Sequence, residues 1–243
     1  MNEATLVLIP AFNAERSVGA VVRECMLVRS QIMAATTDAP QFSARLEVLV
    51  VDDGSSDQTS ETAREAGAQV IRHAVNRGKG AALKTGFAHA LANGFGAVIT
   101  ADADGQHLPH EIPKFLAARA ETDGDLIIGG RAHLFGQMLP RRRFANRFSA
   151  RSIAFASKTN VTDSQSGFRL YSAHLLRSVH LRSDGFDLES EVIVYAGRRG
   201  FNVVTIPIDL GFVDGQSTSH YKPLADTLRI FWTVARARYF WRA

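Results

Sequence analysis

Short runs of apolar residues alternate with longer segments of helical periodicity through the first half of the chain. The apolar runs predict five strands, at 6–10, 46–52, 68–73, 97–102 and 125–130. The segments between them predict helices at 15–31, 59–66, 80–93 and 109–121, and the polar stretch 34–44 predicts a loop. Because strands and helices alternate in this way, we expect an α/β fold with a mostly parallel central sheet and helices on both faces.

Polar side chains follow three of the predicted strands, at the point where each strand ends. Asn13 follows the first strand, Asp52 and Asp53 follow the second, and Asp102 and Asp104 follow the strand at 97–102. Ligands of mostly parallel sheets bind outside the carboxyl ends of the strands. We therefore expect these residues to meet at one edge of the sheet and to form a binding site there.

The second half of the chain is less regular. It predicts a turn at 163–169, a helix at 186–200 and a strand at 202–208. Residues 223–243 combine apolar residues at helical spacing with interleaved arginines, which predicts an amphipathic C-terminal helix. That helix could lie on a membrane surface or pack as an ordinary core or dimer helix. No internal repeat or linker divides the sequence, so we expect one domain over 1–243.

Asp102, Asp104 and Gln106 alternate just after an apolar strand. Alternate residues of an extended segment project to the same side, so these three side chains could share a face. Two carboxylates and an amide oxygen are hard ligands that suit Mg²⁺ or Mn²⁺. The alternative interpretation is a plain turn, because Asp and Gly cluster in turns after strands.

Two further segments carry candidate chemistry. An aspartate in the segment 52–55 (DDGS) can accept hydrogen bonds from a nucleobase or a ribose, or the segment is only a helix-entry turn. The segment 76–80 (NRGKG) precedes a helix, and its glycines would let the backbone and the helix N-terminus approach an anion. Its spacing is not that of a P-loop, and no GxGxxG follows the first strand, which disfavours a dinucleotide-dependent oxidoreductase.

Composition and charge narrow the class of protein. With 243 residues, 46% apolar and 21% charged, the chain is typical of a folded globular protein. No apolar run reaches the length of a membrane span and no basic leader precedes residues 5–9, so we expect a cytoplasmic location. The single cysteine, Cys25, excludes an internal disulfide and predicts a packing role. Arginines crowd 131–151 and 229–242, which suits phosphate binding, and no nucleic-acid-binding motif accompanies them.

The order of seven short motifs resembles family 2 glycosyltransferases. They are PAFN (10–13), VVDDGS (50–55), NRGKGAAL (76–83), ADADGQH (101–107), GGR (129–131), RRFANR (142–147) and DSQSGFRLY (163–171). The sequence is most similar to the branch that transfers mannose or glucose to polyprenyl (dolichyl) phosphate, and the resemblance spans about residues 5–222. It implies a GT-A fold, which is a Rossmann-like nucleotide-binding α/β sheet.

The resemblance also implies which residues form the site. The nucleotide-sugar donor would be held by Pro10, Ala11, Phe12, Glu15, Asp52, Asp53, Lys79, Asp102 and Ala103. The metal, Mg²⁺ or Mn²⁺, would be held by Asp102, Asp104 and Gln106, and the acceptor phosphate by Arg131, Arg142, Arg143, Asn146 and Arg147. The catalytic residues would be Asp104, Asp163 and Arg131. Where the family often has YNE, this chain has Phe12-Asn13-Ala14, so Glu15 is the candidate substitute for that glutamate.

The implied reaction is transfer of a hexose from a GDP- or UDP-sugar to a polyprenyl phosphate with inversion. A phosphate acceptor is mostly dianionic at neutral pH and needs little help from a general base. If a base acts, Asp163 is the first candidate and Glu191 the second. Asp163 could instead orient Arg169 or a loop, and Glu189 and Glu191 could lie on an exposed helix face. A hydroxyl acceptor, which would need a base, and a non-catalytic nucleotide-sugar or nucleic-acid binder are the alternatives.

Overall fold

The computed structural model describes residues 4–37, 45–131 and 150–211. Within these residues seven strands form one sheet. They are β1 (Thr5–Ala11), β2 (Leu46–Asp52), β3 (Gln69–Arg72), β4 (Ala97–Thr100), β5 (Leu126–Gly130), β6 (Arg169–Ser172) and β7 (Val203–Pro207). The loop segment 38–44, the arginine-rich segment 132–149 and the predicted C-terminal helix at 223–243 lie outside the described residues.

Helices connect most of the strands. They are α1 (Val18–Thr37), α2 (Thr59–Glu65), α3 (Lys79–Ala92), α4 (Ile112–Thr122), α5 (150–157), α6 (Ala173–Ser178) and α7 (Leu188–Arg198), and a 3-10 turn, Pro109–Glu111, precedes α4. The predicted helix at 15–31 begins later and runs on to Thr37, so the prediction of a loop from residue 34 was wrong for 34–37. None of the helices in the described ranges is long and apolar enough to cross a membrane.

The strand order is β3-β2-β1-β4-β6-β5-β7. The β1, β2, β3 and β4 pairings are parallel, as is that of β5 with β7, whereas β6 runs antiparallel to both neighbours. The sheet is thus mostly parallel, as predicted. Strand β6 was not predicted, because the sequence interpretation ended a turn at the residue where this strand begins.

Side chains of β1 alternate between two hydrophobic cores, one on each face of the sheet. Leu6 and Leu8 pack in one core with residues of α3 and α7, while Val7 and Ile9 pack in the other with residues of α1 and α4. This period of two is what a strand buried on both faces requires. The prediction of helices on both faces is therefore confirmed, and the polar carboxyl ends of the strands are left free to form a site.

Residues 102–107 form a turn and not an extended continuation of β4, because β4 ends at Thr100. Gly105 takes a φ of 79°, a left-handed conformation that glycine adopts without strain. The prediction that Asp102, Asp104 and Gln106 share one face by strand alternation was therefore wrong. Their relative placement is set by the turn.

Candidate active site

A cleft of about 660 Å³ lies at the carboxyl ends of β1, β2 and β4. Volumes of this size accommodate small-molecule ligands and cofactors. Its lining includes Pro10, Ala11, Phe12, Asn13, Ala14, Glu15, Arg16, Ser17, Asp53, Asp57, Asn76, Gly78, Lys79, Ala82, Asp102, Ala103, Asp104 and Phe186. Eight of the nine predicted donor-binding residues lie there, and Asp52 is the exception.

One wall of the cleft is formed by two loops that hydrogen bond to each other. The Ser56 backbone N–H donates to the side-chain oxygen of Asn13 over 2.9 Å, and the Asn13 N–H donates to Ser55 Oγ over 2.9 Å. The Glu15 N–H donates to Asp57 Oδ2 over 3.1 Å, and Glu15 in turn accepts from the Gln58 N–H over 3.1 Å. Glu15 and Asp57 therefore stiffen the wall as well as line it.

Asp52 has no exposed surface, although it ends β2 beside the cleft. Its carboxylate accepts hydrogen bonds from the Ser55 N–H, over 2.9 Å, and from the Ser60 hydroxyl. Arg72 Nε lies 3.6 Å away. The structure does not bring Asp52 to the cleft, and its contacts are those of a helix-entry turn, which was the alternative interpretation.

Asp53, the next residue, caps the segment that begins α3. Its carboxylate accepts from the backbone N–H of Arg77 over 3.0 Å and of Gly78 over 2.7 Å. His73 Nδ1 lies 2.6 Å from the same carboxylate, and His73 Nε2 lies 2.9 Å from Thr85 Oγ1. The start of this helix thus already carries an anion.

The glycines of NRGKG make room for the protein's own backbone. A Cβ added at Gly78 would lie 2.4 Å from the Asp184 carbonyl oxygen, and one at Gly80 would lie 2.6 Å from the Asp184 carbonyl carbon. Gly78 also has a φ of 99°. The Asp184 backbone fills the space beside these glycines, and the Asp53 carboxylate binds the N–H groups of Arg77 and Gly78. Binding of a ligand anion by this segment stays a prediction.

Lys79, the first residue of α3, places its ammonium in an acidic cluster at the cleft. Its Nζ lies 2.7 Å from Asp102 Oδ1 and 3.2 Å from Glu189 Oε1. Burial works against the charge of this lysine, but the two carboxylates outweigh it and raise the pKa of Lys79. Burial likewise opposes the Asp102 carboxylate, but Lys79 keeps the pKa of Asp102 well below its usual range. The pair is fully ionised at neutral pH.

His107 supports the same turn as a neutral side chain. Its Nδ1 accepts a hydrogen bond of 2.9 Å from the Asp102 backbone N–H, so the proton of the neutral ring lies on Nε2. Burial lowers the pKa of His107 to about 4. His107 therefore orients Asp102 through the backbone and carries no charge at neutral pH.

Asp104 is a partly buried carboxylate in the cleft with little compensation for its charge. It accepts one hydrogen bond, of 3.0 Å, from the Gln106 N–H. Burial and the neighbouring charge of Asp102 raise the pKa of Asp104. A carboxylate destabilised in this way, facing a cleft, is a site that a divalent cation would stabilise, so Asp102 and Asp104 fit Mg²⁺ or Mn²⁺.

Among the described residues, Asp102 and Asp104 are not joined by a third side chain that would complete such a site. No cluster of three or more His, Cys, Asp or Glu side chains in metal-binding arrangement occurs among the described residues. Gln106 contributes a backbone contact to Asp104 and is not among the residues that line the cleft. Water and a bound diphosphate commonly supply further ligands to Mg²⁺.

Arg131 and Asp163 form a two-pronged ion pair at the end of β5. Arg131 Nε lies 2.7 Å from Asp163 Oδ2, its Nη2 lies 3.2 Å from Oδ1, and its backbone N–H also donates to this carboxylate. Burial opposes ionisation of Asp163, but the Arg131 guanidinium outweighs it and lowers the pKa of Asp163. Asp163 orients Arg131 and not Arg169, and a carboxylate held in this way is a weak base.

The glutamates of α7 are buried, which rules out the alternative that they lie on an exposed helix face. Glu189 is 6% exposed and Glu191 has no exposed surface. Glu191 accepts hydrogen bonds from the N–H groups of Arg182 and Ser183, over 2.8 and 2.9 Å, which closes the loop before α7. Glu191 is thereby occupied as a structural acceptor, whereas Glu189 faces Lys79.

Sequence analysis assigned no site role to Glu189, Phe186 or Asp57. Phe186 and Asp57 line the cleft, and the Phe186 ring lies 5.6 Å from Lys79 Nζ. Glu189 and Phe186 come from the second half of the chain, and their approach to Lys79 depends on the tertiary fold. The predicted acceptor residues Arg142, Arg143, Asn146 and Arg147 lie outside the described residues, so the structure does not address whether they converge with Arg131.

Comparison with solved structures agrees with this architecture. Glucosyl-3-phosphoglycerate synthase from Mycobacterium tuberculosis, crystallised with Mn²⁺, uridine diphosphate and phosphoglyceric acid, superposes with a TM-score of 0.69 at 19% identity. The match covers 99% of this chain and 80% of that one. At this identity the likeness shows the fold, which is the GT-A type.

Sequence comparison identifies the family. The chain is 31% identical over 204 residues to a dolichyl-phosphate hexose transferase of Haloferax volcanii, covering 83% of this chain and 80% of the relative. It is 30% identical over 173 residues to an undecaprenyl-phosphate mannosyltransferase of Micrococcus luteus, covering 67% and 70%. Residues 6–179 match the family model for glycosyl transferase family 2. The chain therefore belongs to glycosyl transferase family 2 and is a glycosyltransferase of the GT-A fold.

Proposed function

We propose that the protein transfers a hexose from a GDP- or UDP-sugar to a polyprenyl phosphate, with inversion at the anomeric carbon and with Mg²⁺ or Mn²⁺. The observation that carries the proposal is the cleft in which Asp102, Asp104 and Lys79 meet at the carboxyl ends of the strands. The names of the relatives support a polyprenyl-phosphate acceptor. With such an acceptor the enzyme would work at a membrane surface, and we propose the cytoplasmic face and no nucleic-acid partner.

The donor would lie along the cleft with its base and ribose against the wall formed by residues 10–17. Pro10 and Phe12 offer apolar surface there, and Asn13, Glu15 and Asp57 offer polar atoms. Its diphosphate would reach Lys79, whose ammonium would offset the phosphate charge. A divalent cation bound by Asp102 and Asp104 would offset the charge that develops on the departing diphosphate.

In the reaction a non-bridging oxygen of the acceptor phosphate attacks the anomeric carbon. The bond from that carbon to the diphosphate oxygen breaks, and its electron pair leaves with the nucleoside diphosphate. No proton has to be removed from a phosphate dianion, so orientation and electrostatic stabilisation by the protein suffice. Arg131, which Asp163 holds at the end of β5, would orient the acceptor phosphate together with the predicted residues Arg142, Arg143, Asn146 and Arg147.

A hydroxyl acceptor is the second candidate, and it would need a free carboxylate base. Asp163 is ion-paired with Arg131 and Glu191 is bound to two backbone N–H groups. Neither of the two candidate bases is available in the described part of the chain. This favours the phosphate acceptor.

The test incubates the protein with radiolabelled GDP- and UDP-sugars, Mn²⁺ or Mg²⁺, and undecaprenyl phosphate, and measures label that passes into organic solvent. Asp104→Asn should lower the rate by about 100-fold or more, because a charge is lost where the transition state needs it. Asp123→Asn is the matched control. Asp123 is 84% exposed at the end of α4, and its left-handed φ of 51° suits asparagine.

The outcomes separate the alternatives. An organic-soluble product that depends on Asp104 supports the proposal. Product formed only with hydroxyl acceptors would replace the acceptor, and donor binding without any transfer or metal-dependent hydrolysis would indicate a non-catalytic binder. Full activity of Asp104→Asn would overturn the cation site.

A further inference from the structure

The lysine cluster, which we define as Lys79, Asp102 and Glu189, contains one cation between two carboxylates. The ion pair with Asp102 is short, at 2.7 Å, whereas the approach to Glu189 is longer, at 3.2 Å. The side chains of Lys79 and Glu189 are only 15% and 9% exposed. Ion pairs shielded from water to this degree are weakly screened, so both contacts influence where the ammonium lies.

Glu189 offers the Lys79 ammonium a second carboxylate. Its Oε1 atom is buried and lies 3.2 Å from Lys79 Nζ. A buried carboxylate needs a partner for its charge, and the ammonium is such a partner here. Glu189 can therefore hold Lys79 when Asp102 binds another cation.

Asp102 faces two competing demands. Its Oδ1 atom is paired with Lys79, yet the proposed function has the same carboxylate hold a divalent cation. A divalent cation and an ammonium on one carboxylate repel each other strongly at such short range. Lys79 therefore has to move away from Asp102 when the cation enters, and its charge must remain compensated.

We propose that Glu189 is a positioning residue that receives Lys79 when a divalent cation enters the cleft. The inference rests on the proposed function. Lys79 pairs with Asp102 before the cation binds, and it then moves to Glu189. The move frees Asp102 for the cation and keeps the charge of the ammonium compensated.

The test is a double-mutant cycle read out by Mn²⁺ binding, without sugar donor and without turnover. The full chain and its Lys79→Gln, Glu189→Gln and doubly substituted variants are titrated with Mn²⁺, and free Mn²⁺ is measured by electron paramagnetic resonance. Lys79→Gln should tighten Mn²⁺ binding about tenfold, the order of effect of one nearby unit charge. Glu189→Gln should weaken it about threefold or more, because Lys79 then has Asp102 as its remaining partner.

The second half of the cycle carries the inference. In the Lys79→Gln background, Glu189→Gln should change the Mn²⁺ dissociation constant by less than about twofold, because no ammonium remains for the Glu189 carboxylate to bind. An equal effect in both backgrounds would mean that Glu189 acts on the cation through its own charge or as a ligand, and would overturn the inference. No effect of Glu189→Gln in the wild-type background would overturn it as well.

Controls separate this failure from failure of the proposed function. Lys84→Gln removes a lysine of the same helix that is paired with Asp184, and it should leave Mn²⁺ binding unchanged. Glu189→Asp keeps the carboxylate and should restore near-wild-type binding, and thermal unfolding verifies that each variant is folded. If Asp104→Asn leaves Mn²⁺ binding intact, the cation site itself fails. If it abolishes binding and the cycle shows no coupling, only the inference about Glu189 fails.

Discussion

Gly167 matters in the cleft because it has no side chain. A Cβ at this position would lie 3.0 Å from both Asp102 Oδ2 and Lys79 Nζ, and 3.1 Å from Glu189 Oε1. Distances this short are tighter than nearly all contacts of real Cβ atoms, so the charged atoms would have to shift. The absence of a side chain at Gly167 thus lets the charged atoms of the lysine cluster lie close to the backbone that leads into β6.

Gly167→Ala should raise the KM for the nucleotide-sugar and lower kcat/KM by about tenfold or more, because misplacing a charged group by a fraction of an ångström is costly in a site that works by orientation. Gly94→Ala is the control. Gly94 has no atom within 4 Å of an added Cβ but has a φ of 73°, so the control should lose about 1 kcal/mol of stability with unchanged kinetics. Equal kinetics in both variants would contradict the role given to Gly167.

The sequence predicted which residue types would line the cleft better than it predicted their individual roles. Asp102 and Asp104 follow a buried strand. Ligands of parallel sheets bind at the carboxyl ends of the strands, and this rule predicts the location of both residues correctly. Asp52 and Asp53 are adjacent and chemically identical, and only the path of the chain decides that Asp52 is enclosed while Asp53 lines the cleft. The place of Glu189 in the cleft could not be predicted from the sequence, because its neighbours Asp102 and Lys79 are distant along the chain.

At the scale of elements, the start of α3 is held by β2 through one carboxylate. Asp53 follows β2, accepts from the backbone N–H groups of Arg77 and Gly78, and contacts His73 after β3. Lys79 is the next residue, so this single anion fixes the helix that carries the cleft's ammonium. A carboxylate at a helix N-terminus is also stabilised by the helix dipole.

Asp53→Asn should lower the free energy of unfolding by about 2 kcal/mol, because charge-assisted hydrogen bonds from the backbone to a buried carboxylate are lost or weakened. Urea unfolding measures this change, and Asp123→Asn, which alters an exposed aspartate, should stay within about 0.5 kcal/mol of wild type. The KM for the sugar nucleotide should rise as well, because loss of these hydrogen bonds would shift the start of α3, where Lys79 lies. An unchanged unfolding midpoint for Asp53→Asn would contradict the assignment.

Prediction of elements succeeded where the apolar pattern was long and failed where buried charge interrupted it. Strand β6 begins with Arg169, which has no exposed surface. Its guanidinium donates to the backbone carbonyls of Ser164, Ser166 and Glu189, over 2.6 to 2.9 Å. The sequence does not reveal the three carbonyl groups that allow this arginine to be buried. The segment therefore has the sequence pattern of a loop, although it forms a strand.

At the scale of the whole molecule, the inserted antiparallel strand joins the two halves of the sheet. β6 lies between β4, which leads to Asp102, and β5, which leads to Arg131. The loop before β6 contains both Gly167 and Asp163. It therefore lies against the lysine cluster and also forms the ion pair with Arg131. One loop thereby connects the donor side of the sheet with the side proposed for the acceptor.

A lipid-linked acceptor requires that the molecule reach a membrane, and the sequence of 223–243 predicts how. Its aromatic residues would insert at the interface and Arg229, Arg236 and Arg238 would meet anionic headgroups. The full chain should therefore sediment with vesicles that contain acidic phospholipid, and less so as salt is raised. Replacing these three arginines by glutamine should weaken binding about 100-fold, at about 1 kcal/mol for each basic residue.

The matched control replaces the exposed Arg64, Arg177 and Arg198 by glutamine, which changes the net charge by the same amount elsewhere on the surface. If binding depends on net charge alone, both triple variants lose the same affinity, and the C-terminal segment has no special part in it. If only the C-terminal variant loses binding, transfer to undecaprenyl phosphate in vesicles should fall with it. Transfer to a short, water-soluble prenyl phosphate should not fall, because that acceptor reaches Arg131 without the membrane.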